Sequence, residues 1–189
     1  MNYVNRKGDV YYVFQGLTKT GKPKYYVSLK AMSDAGQQID SLPDEFELHE
    51  DPIDARVSIR KKKPSHIHDF ELQFVRNRVE IEAPRVMARV KIQGRSIDIY
   101  DSQDIFDSIS NRMGELPNFA IRELQSTSQM SPAFRFKLIE KKERVFEAQR
   151  FCFRGGIDDW ISLHYEGPLD ELCENYLKHL GQESFYELI

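Results

Sequence analysis

The sequence predicts an α+β fold in which a small N-terminal antiparallel β module precedes an α+β body of hairpins packed against helices. Three observations carry that expectation. Segments dense in Tyr, Val, Phe and Ile face each other across Gly- or Pro-bearing turns; apolar residues near the C terminus recur at helical spacing; and Lys61-Lys-Lys-Pro64 divides a β-rich start from a mixed remainder. The expected organisation is a module over residues 1–64 and a body over residues 65–189.

Asp9 to Gln15 and Lys24 to Lys30 flank Gly16-Leu-Thr-Lys-Thr-Gly-Lys-Pro23, which predicts a β-hairpin with a basic tip. The Gly/Gln/Asp-rich stretch from Ser33 to Ser41 is expected to be a loop, and two short strands follow around Phe46 to Glu50 and Arg56 to Lys61. From Ser65, a candidate N-cap, the spacing of Ile67, Phe70, Leu72, Phe74 and Val75 predicts a helix that Pro84 ends. Val86 to Ile92 and Ser96 to Tyr100 alternate about Gly94 as a second hairpin. Asp101 or Ser102 is placed to cap a short helix carrying Ile105, Phe106 and Ile109, stopped by Gly114 and Pro117. Ser126 to Pro132 has loop composition. Phe134 to Leu138 and Val145 to Phe153, joined by Glu140-Lys-Lys-Glu143, predict a third hairpin. Leu169, Leu172, Cys173, Tyr176, Leu177 and Leu180 form one helical stripe, with Pro168 at its first position and Gly181 past its end.

Composition bounds the partners. With 189 residues, 40% hydrophobic, the chain can bury a core without disulfides or metals to hold it. Its 27 Lys+Arg against 30 Asp+Glu give a net charge of −3, which excludes wholesale neutralisation of nucleic acid and a polybasic membrane binder. The charge is uneven, however: residues 1–64 carry 11 basic and 9 acidic side chains, so the N-terminal module is the better place for an anionic partner. Cys152 and Cys173 lie in separate apolar stretches and are expected to be buried reduced thiols. No apolar run reaches bilayer length and the first residues lack the apolar core of a signal peptide, so a cytoplasmic location without membrane contact is expected.

Thr18-Lys-Thr-Gly-Lys-Pro-Lys-Tyr-Tyr26 near the start, and Arg154-Gly-Gly-Ile-Asp-Asp-Trp-Ile161 with Leu180-Gly-Gln-Glu-Ser-Phe-Tyr-Glu-Leu188 near the end, resemble segments of an uncharacterised bacterial conserved protein family. The resemblance implies one evolutionary unit. It brings no activity, cofactor or catalytic residue.

The first functional candidate is a surface for single-stranded nucleic acid. In the second strand Tyr25, Val27 and Leu29 are expected to face a core while Tyr26, Ser28 and Lys30 face away, beside a tip bearing Lys19, Lys22 and Lys24. An aromatic ring can stack on a base and lysines can neutralise phosphates; Lys61, Lys62 and Lys63 extend the patch if their strand lies adjacent. The structural alternative is that the tyrosines are ordinary amphipathic sheet residues and the lysines protect an edge and a turn. The second candidate is a protein contact at Asp158, Asp159 and Trp160, set against a plain turn whose indole covers the core.

A third candidate is catalytic. Glu140-Lys-Lys142 satisfies the E-x-K element of PD-(D/E)xK nucleases, and Asp98 or Asp101 could supply a second carboxylate for a divalent ion, but the same residues make an ordinary polar turn. His66-Ile-His68 with Asp69 and Glu71 has metal-binding chemistry on a strand, whereas on a helix its imidazoles diverge; His49, His164 and His179 stand apart from any such motif. Arg154-Gly-Gly156 is a single occurrence whose glycines suit a tight turn. P-loop, dinucleotide-binding and nucleophile-elbow signatures are absent from the sequence. These observations favour a non-enzymatic binding protein that associates with nucleic acid or a nucleoprotein complex through the basic and aromatic N-terminal sheet, with no catalytic residue, metal or cofactor assigned. A protein adaptor and a metal-dependent nuclease are the alternatives.

Overall fold

The computed structural model describes residues 1–84, 86–102, 123, 127–153 and 158–188. Helix and sheet are both present and sheet predominates. The chain divides into two compact units, Met1–Lys63 with Arg122–Gln129, and Pro64–Ile121 with Met130–Ile189.

In the first unit β1 (Asn2–Val4), β2 (Val10–Leu17), β3 (Pro23–Ser28) and β4 (Gly36–Gln38) form an antiparallel sheet centred on β2. β3 takes one edge of β2, in the register Phe14 opposite Tyr26. β1 and β4 follow each other along the other edge, because the Val13 N–H donates to the Met1 carbonyl at 3.2 Å while the Ile39 N–H donates to the Val13 carbonyl at 3.0 Å. β4 corrects the loop expected over Ser33 to Ser41. Its glycine content permits close approach instead of preventing pairing: a Cβ on Gly36 would sit 2.6 Å from the Gln15 carbonyl oxygen, and one on Gly16 would sit 2.6 Å from that of Ala35. β5 (Phe46–Glu50) and β6 (Val57–Lys61) form a separate hairpin. Arg6, its side chain 2% exposed, gathers the unit by donating to the carbonyls of Asp51, Ile53 and Ser128 and pairing with Glu50.

The second unit is a five-stranded antiparallel sheet in the order β11-β10-β9-β8-β7, built from β7 (Ala88–Gln93), β8 (Ser96–Asp101), β9 (Ser131–Glu140), β10 (Val145–Phe153) and β11 (Asp158–Gly167). Alternation places Val90, Ile97, Ile99, Phe134, Phe136, Leu138, Phe146 and Ala148 on one face, all buried. They join one core with Val75 and Val79 of α1 (Asp69–Glu82) and with Leu172 and Cys173 of α2 (Leu169–Tyr176). Buried Glu71 closes the start of α1: its Oε2 accepts the His68 N–H at 2.8 Å, and its carboxylate holds Arg144.

Several boundaries differ from expectation. The N-cap of α1 is His68, since the Ser65 hydroxyl is spent accepting the Ile67 N–H in a local turn. Ser131 and Pro132 belong to β9, on the partner positions of Asp101 and Tyr100. Asp158, Asp159 and Trp160 open β11 where a turn was one expectation, because β10 extends far enough to pair them with Phe153, Cys152 and Phe151. α2 stops at Tyr176 and tightens into 3₁₀ turns over Leu177–His179 and Glu183–Glu187, and Pro168 is its N-cap residue, not its first helical one. Cys173 is buried but Cys152 only half-buried, both free. The helix expected around Ile105 to Ile109 and the turn expected at Arg154-Gly-Gly156 lie outside the described residues.

Candidate nucleic-acid interface

The β2–β3 tip is a well-formed turn. The Thr18 N–H donates to the Lys22 carbonyl at 2.8 Å, the Thr18 hydroxyl accepts the Lys22 N–H, and Gly21 takes a positive φ of 78°. This geometry leaves Lys19, Lys22 and Lys24 exposed. Tyr25, next to Lys24, packs its ring 5.0 Å from that of Phe46, and Phe46 is the cross-strand partner of Lys61. The aromatic contact therefore brings the basic end of β3 toward the Lys61, Lys62 and Lys63 run, which is also exposed.

Ion pairing separates the arginines of this unit from its lysines. Arg60 is held by Glu47 at 2.7 Å, Arg56 lies 3.6 Å from Asp54 and Arg6 lies 3.5 Å from Glu50. Among the described residues, none of Lys19, Lys22, Lys24, Lys61, Lys62 and Lys63 has a carboxylate partner. Six ammonium groups are thus free to exchange water and counterions for phosphate.

Tyr26 lies on the face away from Tyr25, as alternation suggests, but that face is covered there. Its ring stacks on Phe14 at 5.5 Å and 16°, crosses Gly16, and its hydroxyl bonds the Ser33 Oγ at 2.8 Å. A ring laid across glycines in neighbouring strands fills the space their missing side chains leave. Tyr26 therefore braces the sheet below the lysines. Leu29 lies beyond the end of β3 and is 60% exposed, so the inward alternation stops at Val27.

On the second unit, Asp158 and Asp159 are exposed and Trp160 is half-buried. Asp159 Oδ1 accepts the Trp160 N–H at 2.7 Å, so one carboxylate is occupied locally. The indole meets Phe151 edge-on at 5.1 Å and lies 4.1 Å below the Arg135 guanidinium. Arg135 in turn makes a two-point contact with buried Asp98, at 2.8 and 2.7 Å. Sequence reasoning missed Arg135 because only the strand order from β8 through β9 and β10 to β11 reveals its neighbours Asp98 and Trp160.

The catalytic candidates are not brought together. Asp98 pairs with Arg135, five residues along β9 from Glu140, or roughly 17 Å at the rise of a strand. Asp101, opposite Ser131, lies farther still, and Glu140 accepts the Lys142 N–H at 2.9 Å within its turn. His68 stacks on Phe70, while the His66 carbonyl accepts Arg144. Among the described residues, no group of three His, Cys, Asp or Glu side chains is arranged to hold a metal ion, and no helix is long and apolar enough to cross a membrane.

Comparison with protein-family models, with curated proteins and with solved structures finds no match to this chain.

Proposed function

We propose that this chain is a non-enzymatic binding protein whose first unit holds single-stranded nucleic acid through Lys19, Lys22, Lys24, Lys61, Lys62 and Lys63. The observation that carries the reading is the set of six exposed lysines without carboxylate partners, two parts of which are linked by the packing of Tyr25 on Phe46. They sit on a turn and a strand end, not along a helix, and so suit a bendable single strand better than a duplex major groove. Tyr26 supports the surface through its stack on Phe14, leaving phosphate contacts as the main source of affinity.

Fluorescence anisotropy with labelled oligonucleotides over a salt series tests this. If all six lysines contact phosphates, log affinity against log salt has a slope of about −4, from about −0.7 per neutralised phosphate. Replacing Lys19, Lys22 and Lys24 together by Gln lowers that slope by about 2, and so does replacing Lys61, Lys62 and Lys63. Absence of binding at low salt, or binding indifferent to both triple variants, overturns the reading. A protein-adaptor role then takes its place, favoured by Phe153, which is 61% exposed beside the Phe151 ring that Trp160 also meets.

A further inference from the structure

β7 is the last strand of the five-stranded sheet, and among the described residues no strand pairs with its outer edge. The hairpin it makes with β8 closes on Gln93 opposite Ser96 across the two-residue turn Gly94–Arg95. In such a hairpin the closing pair exchanges hydrogen bonds and the pattern alternates along the strand. Arg89 and Lys91 therefore bond inward to β8, while Ala88, Val90 and Ile92 turn their N–H and C=O groups outward. Arg76 of α1 agrees with that direction, since its Nη2 donates to the Val90 carbonyl at 3.3 Å.

Beside this edge runs a groove of about 300 Å³ lined by Arg76, Val79 and Glu80 of α1 and by residues 87–91. Its charged side chains are Arg76, Arg89 and Lys91 against the single carboxylate of Glu80. The Nε of Arg89 is buried and has no hydrogen-bond partner among the described residues. An outward row of backbone groups, with Arg89 and Lys91 on one face of the strand and Val79 of α1 packed over the other, has the chemistry of a strand-addition site.

We propose that the outer edge of β7 docks an extended segment of a partner protein in which acidic residues alternate with apolar ones. The Val90 carbonyl stays with Arg76, so backbone bonds to Ala88, Ile92 and the Val90 N–H supply the attachment. Acidic side chains of the incoming strand lie beside Arg89, and its apolar ones lie toward Val79 of α1. A second copy of this chain fits poorly, because pairing β7 with itself sets Arg89 and Lys91 against the same cations. The proposal is independent of the lysines in the first unit.

The test adds a short peptide alternating Val and Glu to the full chain and follows both anisotropy of the labelled peptide and amide hydrogen exchange of the protein. The expected result is saturable binding, new protection at the amides of Ala88, Val90 and Ile92, and a loss of about tenfold in affinity on Arg89→Glu. A control peptide of the same sequence with every backbone nitrogen methylated keeps the charge but has no N–H to donate to the ladder and crowds the edge, and it should leave those amides unprotected. Equal binding of the two peptides without protection reduces the site to bulk charge and overturns the proposal, as does absence of binding at low salt. Protection of the same amides that rises with protein concentration, without peptide, overturns it in favour of self-association. Because protection is read on the unmodified chain, a misfolded Arg89 variant cannot decide the outcome.

Discussion

Cys173 sits fully buried in the apolar stripe of α2, and that burial, the largest influence on it, pushes its thiol from 9.0 up to about 12. Nearby Arg78 pulls the other way, while Asp170 and Glu82 add to the rise. Above pH 9 the unfolded chain therefore loses a proton that the native state keeps. With fewer protons bound in the unfolded state, stability falls as pH rises, by up to about 1.4 kcal/mol per pH unit until the native thiol itself ionises near pH 12. Tyr176, raised by burial, and Tyr165, raised by its hydrogen bond to Glu171, act in the same direction, but only from about pH 10. Urea midpoints measured between pH 8 and 10 should thus decline in the native sequence and decline less steeply in Cys173→Ala. Equal slopes in the two proteins would place the thiol in water. The inert core thiol was readable from its spacing in the helical stripe, whereas the partial exposure of Cys152 depends on its place in β10, one position from the strand's end.

The elements that the sequence announced most clearly are those whose periodicity coincides with a single buried face. Leu172, Cys173, Leu177 and Leu180 are all within 1% of full burial, although the helix that carries the first two becomes a 3₁₀ turn before it reaches the last. The stripe survives the change because a 3₁₀ turn keeps residues three apart on one side. Leu172→Ala should therefore cost about 2 to 5 kcal/mol, read from the denaturation midpoint, and a change within experimental error would mean that the stripe faces no core. The strands that were not announced have a different physical origin. β4 exists because Gly16 and Gly36 let two backbones close to a distance no side chain tolerates, a property of the pair and not of either segment. β11 begins with two aspartates that favour a turn in isolation, and it is the ladder with β10 that overrides their preference.

At the scale of the whole molecule, the uneven distribution of charge was legible and its arrangement was not. Lys24 and Lys61 are separated by more than half of the first unit's sequence, and only the packing of Tyr25 on Phe46 relates them. The free state of the lysines likewise depends on which arginines have already taken the neighbouring carboxylates, Arg60 with Glu47 above all. That arrangement separates binding from folding. Exposed side chains without ion partners contribute little to stability, so replacing Lys19, Lys22, Lys24, Lys61, Lys62 and Lys63 by Gln should move the unfolding free energy by no more than about 0.5 kcal/mol for each residue. The same replacement takes six positive charges from a chain whose net charge is already −3, so a polyanion meets only repulsion and oligonucleotide binding should vanish at every salt concentration. Urea denaturation and anisotropy on one preparation read both quantities. A fall in stability beyond about 3 kcal/mol, more than six ordinary surface replacements give together, would show that the lysines hold the fold, and binding that persists in a stable variant would move the nucleic-acid surface away from the first unit's lysines.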